Sequence, residues 1–162
     1  MRTAPNLVLL VEKDLAIRLQ GANELLDEGY EVVESESASE AMSILDSRDD
    51  FDAMVADIDP DQAPGGLALM RYAATHRRNM KLLVESKWSS AEAESIAMAA
   101  SFLSKPYAAG AMTSEMQDML STPMASARQL WISHQQHTEQ SPTSDLPMAH
   151  QAWHRFFPRD CE

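Results

Sequence analysis

The sequence predicts an α/β domain built on a doubly wound, five-stranded parallel sheet, followed by a tail of another character. Two observations carry that reading. From residue 6 to about 120, short aliphatic runs alternate five times with stretches of helical periodicity, which is the signature of repeated βα units. Residues 121–162 then contain no Gly, four of the eight Pro, four of the five His and two of the three Trp, so the pattern that built the domain stops there. We place a domain at residues 1–120 and a tail at 121–162, the tail partly disordered or bearing one short amphipathic helix.

Each element has its own reason. Asn6–Val11 (NLVLLV) is apolar throughout, as a strand covered on both faces must be. A helix follows, on which Leu15, Leu19, Ala22 and Leu26 share a face, and Gly29 ends it. Tyr30–Glu34 (YEVVE) is the second strand. Ser37 and Glu40 have capping-box spacing and open a helix bearing Ala41, Ile44 and Leu45. Phe51–Asp57 (FDAMVAD) is the third strand; after a turn rich in Pro and Gly, Gly66–His76 reads as a third helix. Lys81–Glu85 is the fourth strand, and Ser89 and Glu92 repeat the capping spacing. Ser101–Ser104 is a short fifth strand ended by Pro106, after which Met112, Met116, Met119 and Leu120 mark one face of a last helix. The expected strand order is 2-1-3-4-5.

Composition excludes several classes. At 162 residues there is room for one domain and a modest appendage. No apolar run approaches the ~20 residues of a membrane span. The apolar stretch near the N-terminus runs straight into Glu12 and Asp14, without a secretory cleavage pattern, so a cytoplasmic protein is expected. Cys161 is the only cysteine, which removes internal disulfide and CxxC chemistry. The net charge is −12, and residues 1–120 carry 21 Asp+Glu against 10 Lys+Arg; that surface repels phosphate backbones and anionic lipid, so neither nucleic acid nor membrane is an expected partner.

Ligands of open α/β sheets gather beyond the carboxyl ends of the strands. The residues there are Glu12, Lys13, Asp57, Glu85 and Lys105. With them the sequence resembles the receiver domain of response regulators, over roughly residues 6–120. "LVLLVEKDLAIR" is similar to the receiver's first strand, acidic pair and helix start, "FDAMVADID" to its phosphoacceptor strand, and "SFLSKPY" to its last strand and Lys-Pro-aromatic signature. The resemblance implies a flavodoxin-like fold and a place in a two-component phosphorelay. It makes Asp57 the carboxylate that accepts a phosphoryl group, with a sensor histidine kinase or phosphotransfer protein as partner. Lys105 would neutralise the developing charge. Glu12, Asp57 and the backbone carbonyl of Asp59 would hold Mg²⁺ through hard oxygen ligands. Phe102 occupies the position of the switch aromatic, where a packed core Phe is the competing reading.

Two residues depart from the family's pattern. Lys13 replaces a metal-ligating Asp, and Glu85 stands where the resemblance implies a Thr or Ser hydroxyl. An ammonium beside Asp57 supplies positive charge that the metal would otherwise bring, worth roughly 4 kcal/mol at about 4 Å before desolvation. Both changes oppose Mg²⁺-dependent phosphorylation. The expectation is a divergent receiver with a weakened site; the alternatives are a phosphorylation-independent interaction module, or pseudo-receiver, and a normally phosphorylated single-domain regulator. An enzyme acting independently is not expected, because no Gly-rich phosphate loop, GxSxG or paired cysteine is present.

The tail offers two further patterns. His134, His137, His150 and His154 fall at H-x2-H-x12-H-x3-H, a spacing compatible with zinc but without the surrounding hydrophobic pattern of a finger. Ser144 or Asp145 could cap a short helix whose Leu146, Ala149, Trp153 and Phe156 share a face up to Pro158. Such a face docks on its own domain, docks on a partner, or stays unpaired. A helix-turn-helix output domain does not fit in this tail.

Overall fold

An all-apolar strand in the middle of a sheet demands helices on both sides, and the structure supplies them. The computed structural model describes residues 5–58, 63–87 and 100–122. Five parallel strands, β1 Leu7–Val11, β2 Glu31–Ser35, β3 Ala53–Asp57, β4 Lys81–Ser86 and β5 Ser101–Ser104, form one sheet in the order β2-β1-β3-β4-β5. The helices are α1 Leu15–Asp27, α2 Ala38–Ser47, α3 Ala63–His76 and α4 Ala111–Ser121. The strand order is the one the sequence predicts.

Alternation along β1 divides the interior into two cores. Leu7, Leu9 and Val11 join Ala41 and Leu45 of α2 and Leu69 and Ala73 of α3 on one face of the sheet. Val8 and Leu10 join Ala22 and Leu25 of α1 with Met112, Met116 and Met119 of α4 on the other. The methionine face predicted for the last helix is therefore a core face, with Leu120 partly buried beside it.

The helix ends follow local chemistry. Asp14 caps α1, its Oδ1 accepting the N–H groups of Ala16 and Ile17 at 2.9 and 3.0 Å. At the other end Gly29 takes φ +84°, and the Gly29 and Tyr30 N–H groups donate to the carbonyls of Leu26 and Leu25 in a Schellman arrangement that a left-handed glycine permits. Ser37 Oγ accepts from the Glu40 N–H at 3.1 Å as the capping box requires, but Glu40 reaches back to the N–H of Glu36, not to that of Ser37.

Two expectations are corrected. Of the face assigned to α1, only Ala22 is buried; Leu25 is the large side chain turned inward, and Leu15, Leu19 and Leu26 are exposed. Gly21 lies on the face turned to β1, where a Cβ would stand 3.4 Å from Leu10, so that Gly21, Ala22 and Leu25, not the leucine stripe, meet the strand. Second, α3 begins at Ala63, three residues before the predicted Gly66, because Pro64 lacks an N–H that a first helical turn leaves unpaired anyway. The second capping box at Ser89, residues 59–62 of the turn before α3 and the tail from residue 123 with its four histidines lie outside the described residues. Among the described residues no helix is long and apolar enough to cross a membrane.

Candidate functional site

Three strand ends converge on one cluster. Glu12 directly follows β1, Asp57 closes β3, and Glu85 lies beside Asp57 in the parallel register of β3 and β4. Backbone bonds fix the rim: the Ile58 N–H donates to the Glu85 carbonyl and the Lys105 N–H to the Ser86 carbonyl, each at 2.8 Å. Ser86, fully buried, donates its hydroxyl to the Ile58 carbonyl at 2.8 Å and ties the ends of β3 and β4 together. The Lys105–Pro106 peptide is cis.

The Lys105 ammonium is the hub. It lies 3.1 Å from Asp57 Oδ1, 3.3 Å from Glu12 Oε2 and 3.7 Å from Glu85 Oε2. Burial alone would depress its pKa, yet the carboxylates of Asp57, Glu85 and Glu12, with the hydrogen bond to Asp57, outweigh burial and hold the amine above its ordinary value. Glu12 is buried; its Oε1 accepts the Asp14 N–H at 2.8 Å, and Arg18 Nη1 donates to its carbonyl at 2.7 Å.

Glu85 is buried as well, and burial pushes its carboxyl above the usual range, with Asp57 and Glu12 adding repulsion. Tyr107 and Lys105 act in the opposite direction: the Tyr107 hydroxyl donates to Glu85 Oε1 at 2.6 Å. That tyrosine is itself held well above its ordinary pKa by burial and by the Glu85 carboxylate it serves. Sequence reasoning named the Lys-Pro-aromatic signature without giving Tyr107 a role. The available signal was a phenol hydroxyl two residues past the lysine, with an acid at a strand end where the resemblance implies a hydroxyl.

The cluster separates two cavities. One, of about 530 Å³, opens between α1 and the segment leading into α4, with Ile17, Gly21, Pro106 and Met112 around Glu85 and Tyr107. The other, of about 300 Å³, lies against α2 and α3 and is lined by Glu12, Lys13, Asp57, Ser37 and Gly66. Gly66 packs closely there: a Cβ would meet the Ile58 side chain at 3.2 Å. Lys13 is exposed on the wall of this second cavity, on the same side as Asp57, and the Lys105 amine pairs with Asp57. Phe102 is partly buried and packs on the core between the sheet and α2–α3.

Among the described residues no group of three or more His, Cys, Asp or Glu side chains could hold a metal ion. The donor set explains why: one Glu12 oxygen is engaged by a backbone N–H and the other faces Lys105, leaving Asp57 as the acid open to the second cavity. The described side chains do not fit a magnesium site of the acidic-pair kind; Asp59, whose carbonyl was the third expected ligand, lies outside the described residues.

Solved structures similar to this chain include response-regulator receivers. A CheY-like response regulator receiver domain protein from Methanospirillum hungatei is 25% identical with a TM-score of 0.65, the match covering 72% of this chain and 94% of that one. The chemotaxis protein CheY4 of Vibrio cholerae is 22% identical at a TM-score of 0.63, over 72% of this chain and 99% of that one. The response regulator TrrA of Thermotoga maritima, solved in complex with Mg²⁺ and BeF, is 24% identical at a TM-score of 0.60, over 71% and 98% of the two chains. No family model matches the sequence, and no curated protein does. The fold is that of a response-regulator receiver domain, flavodoxin-like, as the sequence resemblance implies; the low identities mark the chain as divergent.

Proposed function

We propose that this chain is a two-component signalling protein on the receiver fold. Asp57 stands at the phosphoacceptor position, and Mg²⁺-dependent phosphorylation there is weakened by Lys13 and Glu85. Its partner is a sensor histidine kinase or a phosphotransfer protein, and the chain works by protein contact, without enzymatic turnover of its own. Phosphoryl transfer would form a bond from an Asp57 oxygen to phosphorus as the P–N bond of a phosphohistidine breaks. Lys105 would have to leave its carboxylates to meet the phosphoryl oxygens, and Glu85 would oppose them with a like charge instead of a hydroxyl donor.

The observation that carries this reading is the single ammonium shared by three carboxylates at 3.1–3.7 Å, with Glu85 held in place by Tyr107. One feature favours the second reading, a working phosphoacceptor: Asp57 is open to the second cavity and keeps its lysine. Incubation with acetyl phosphate and Mg²⁺, followed by intact mass, separates the two. We expect little addition to the wild type and clear addition of one phosphoryl group to the Lys13→Asp, Glu85→Thr double variant. Efficient labelling of wild-type Asp57 would reject the weakened site, and the chain would then be an ordinary regulator.

A further inference from the structure

Four large apolar side chains among the described residues are open to solvent, and all four belong to α1: Leu15, Ile17, Leu19 and Leu26, at 60, 47, 47 and 52% exposure. Ile17 faces the larger cavity. The three leucines fall within about 40° of one another around the helix, since each residue advances the helix by roughly 100°. Single exposed leucines are ordinary; a stripe of three along one helix, beside a face already seated on the core, is an unpartnered surface.

We propose that this stripe is the docking surface for residues 146–159 of the same chain, LPMAHQAWHRFFPR. The inference goes beyond the signalling role and does not depend on whether Asp57 accepts phosphate. Three observations select this occupant. The exit of the chain lies within reach of α1: Gln117 Nε2 on α4 donates to Glu28 Oε2, just past the end of α1, at 3.3 Å, and five residues on the Thr122 carbonyl accepts from Lys81 Nζ at the start of β4 at 2.8 Å. The roughly two dozen residues between Thr122 and Leu146 reach up to ~80 Å, far more than the ~20 Å length of α1.

Charge selects it next. The segment carries Arg155, Arg159, His150 and His154 and no acid, whereas residues 1–120 carry 21 acids against 10 Lys+Arg, with Glu24, Asp27 and Glu28 on or beside α1 itself. A second copy would bring the same net charge of −12 and meet repulsion. Chemistry completes the match: Leu146, Ala149, Trp153 and Phe156 recur at helical spacing, an aromatic face suited to a row of leucines. Tethering makes the contact intramolecular, at an effective concentration of about millimolar order.

Cys161, the only cysteine, lies two residues beyond the segment and takes a nitroxide label on the full chain. Paramagnetic broadening of backbone amide signals reads its surroundings. We expect signals from Leu15 to Leu26 to weaken several-fold relative to those of α2 and α3. That broadening should be lost in the Leu19→Glu, Leu26→Glu variant and, separately, in Trp153→Glu, while α2 and α3 shifts stay unchanged. Mixing spin-labelled chain with an isotope-labelled, unspun copy should leave α1 sharp. Broadening that is absent, that falls elsewhere, or that is as strong in the mixed sample would overturn the proposal, the last outcome assigning the stripe to a second copy.

Discussion

Replacing Lys105 by Met removes the ammonium that pairs with all three carboxylates and keeps most of the side chain's volume. At 3.1, 3.3 and 3.7 Å the individual attractions to Asp57, Glu12 and Glu85 each amount to about 5 kcal/mol at an effective dielectric near 20. Desolvation of four charged groups offsets much of that gross sum, and removing one partner from a buried cluster costs about 3–5 kcal/mol net. Screening by solvent is weak, because the Lys105 side chain is only 14% exposed and Glu12 and Glu85 less still. The loss should depend on pH in a specific direction. In wild type the lysine's contribution is complete below its unfolded pKa and vanishes only in strong alkali, as pH rises through the elevated folded value. In the variant, three uncompensated carboxylates make the native state bind protons more readily than the unfolded chain, so stability falls as pH rises through the acid range. Urea denaturation followed by circular dichroism should show a loss of about 3–5 kcal/mol near pH 8, shrinking to about 1 kcal/mol near pH 4. Adding Glu85→Gln to Lys105→Met should recover part of the loss near neutrality. A deficit below about 1 kcal/mol at both pH values would refute a cluster held together by this amine.

Two further outcomes follow from the same cluster. Glu85 is raised by burial, so its contribution to stability is present below the unfolded value of about 4.3 and declines as pH rises through the folded one. Glu85→Gln should therefore flatten the pH dependence of stability and leave the protein no less stable than wild type near neutrality, as urea midpoints across the acid-to-neutral range will show. Tyr107→Phe removes the donor from a buried carboxylate and should cost about 1.5–3 kcal/mol near neutrality, less in acid. Its spectrophotometric titration should lack the last phenol to ionise, whereas Glu85→Gln should bring that phenol down toward its ordinary pKa; an unchanged alkaline titration in both would sink the pairing.

The sheet was legible because its chemistry is local. Short continuous apolar runs such as Leu7–Val11, alternating with helical patterns, read as strands covered on both faces, and acids or lysines immediately after them fall at the carboxyl edge. The orientation of α1 was not legible from its leucines, because the face that approaches β1 holds Gly21, with no side chain to count, and Ala22 beside Leu25. Nor did the sequence rank the two amines near Asp57. Glu12 turns inward and is buried, so the next residue, Lys13, projects to the cavity wall, while Lys105 enters from β5 between all three acids. The Glu85–Tyr107 bond joins residues 22 positions apart, beyond the range of any spacing pattern.

Glu85 and Tyr107 act as one unit. A buried carboxylate facing Asp57 and Glu12 is tolerable only with a donor on its free oxygen, and Lys105 at 3.7 Å, already closer to the other two acids, is too shared to be that donor. The Tyr107 hydroxyl at 2.6 Å fills the need, and in doing so ties the segment before α4 to the end of β4 at the mouth of the larger cavity. The shape of that cavity is then coupled to the charge on Glu85. Where a threonine stands at this position the phenol loses its anionic acceptor, so the Glu85→Thr change made to favour phosphoryl transfer should also loosen Tyr107 and lower its ionisation toward the ordinary value. Amide exchange of the residues following Pro106 would then quicken alongside any gain in labelling at Asp57, whereas Glu85→Gln, which keeps an acceptor oxygen for the phenol, should leave that exchange close to wild type.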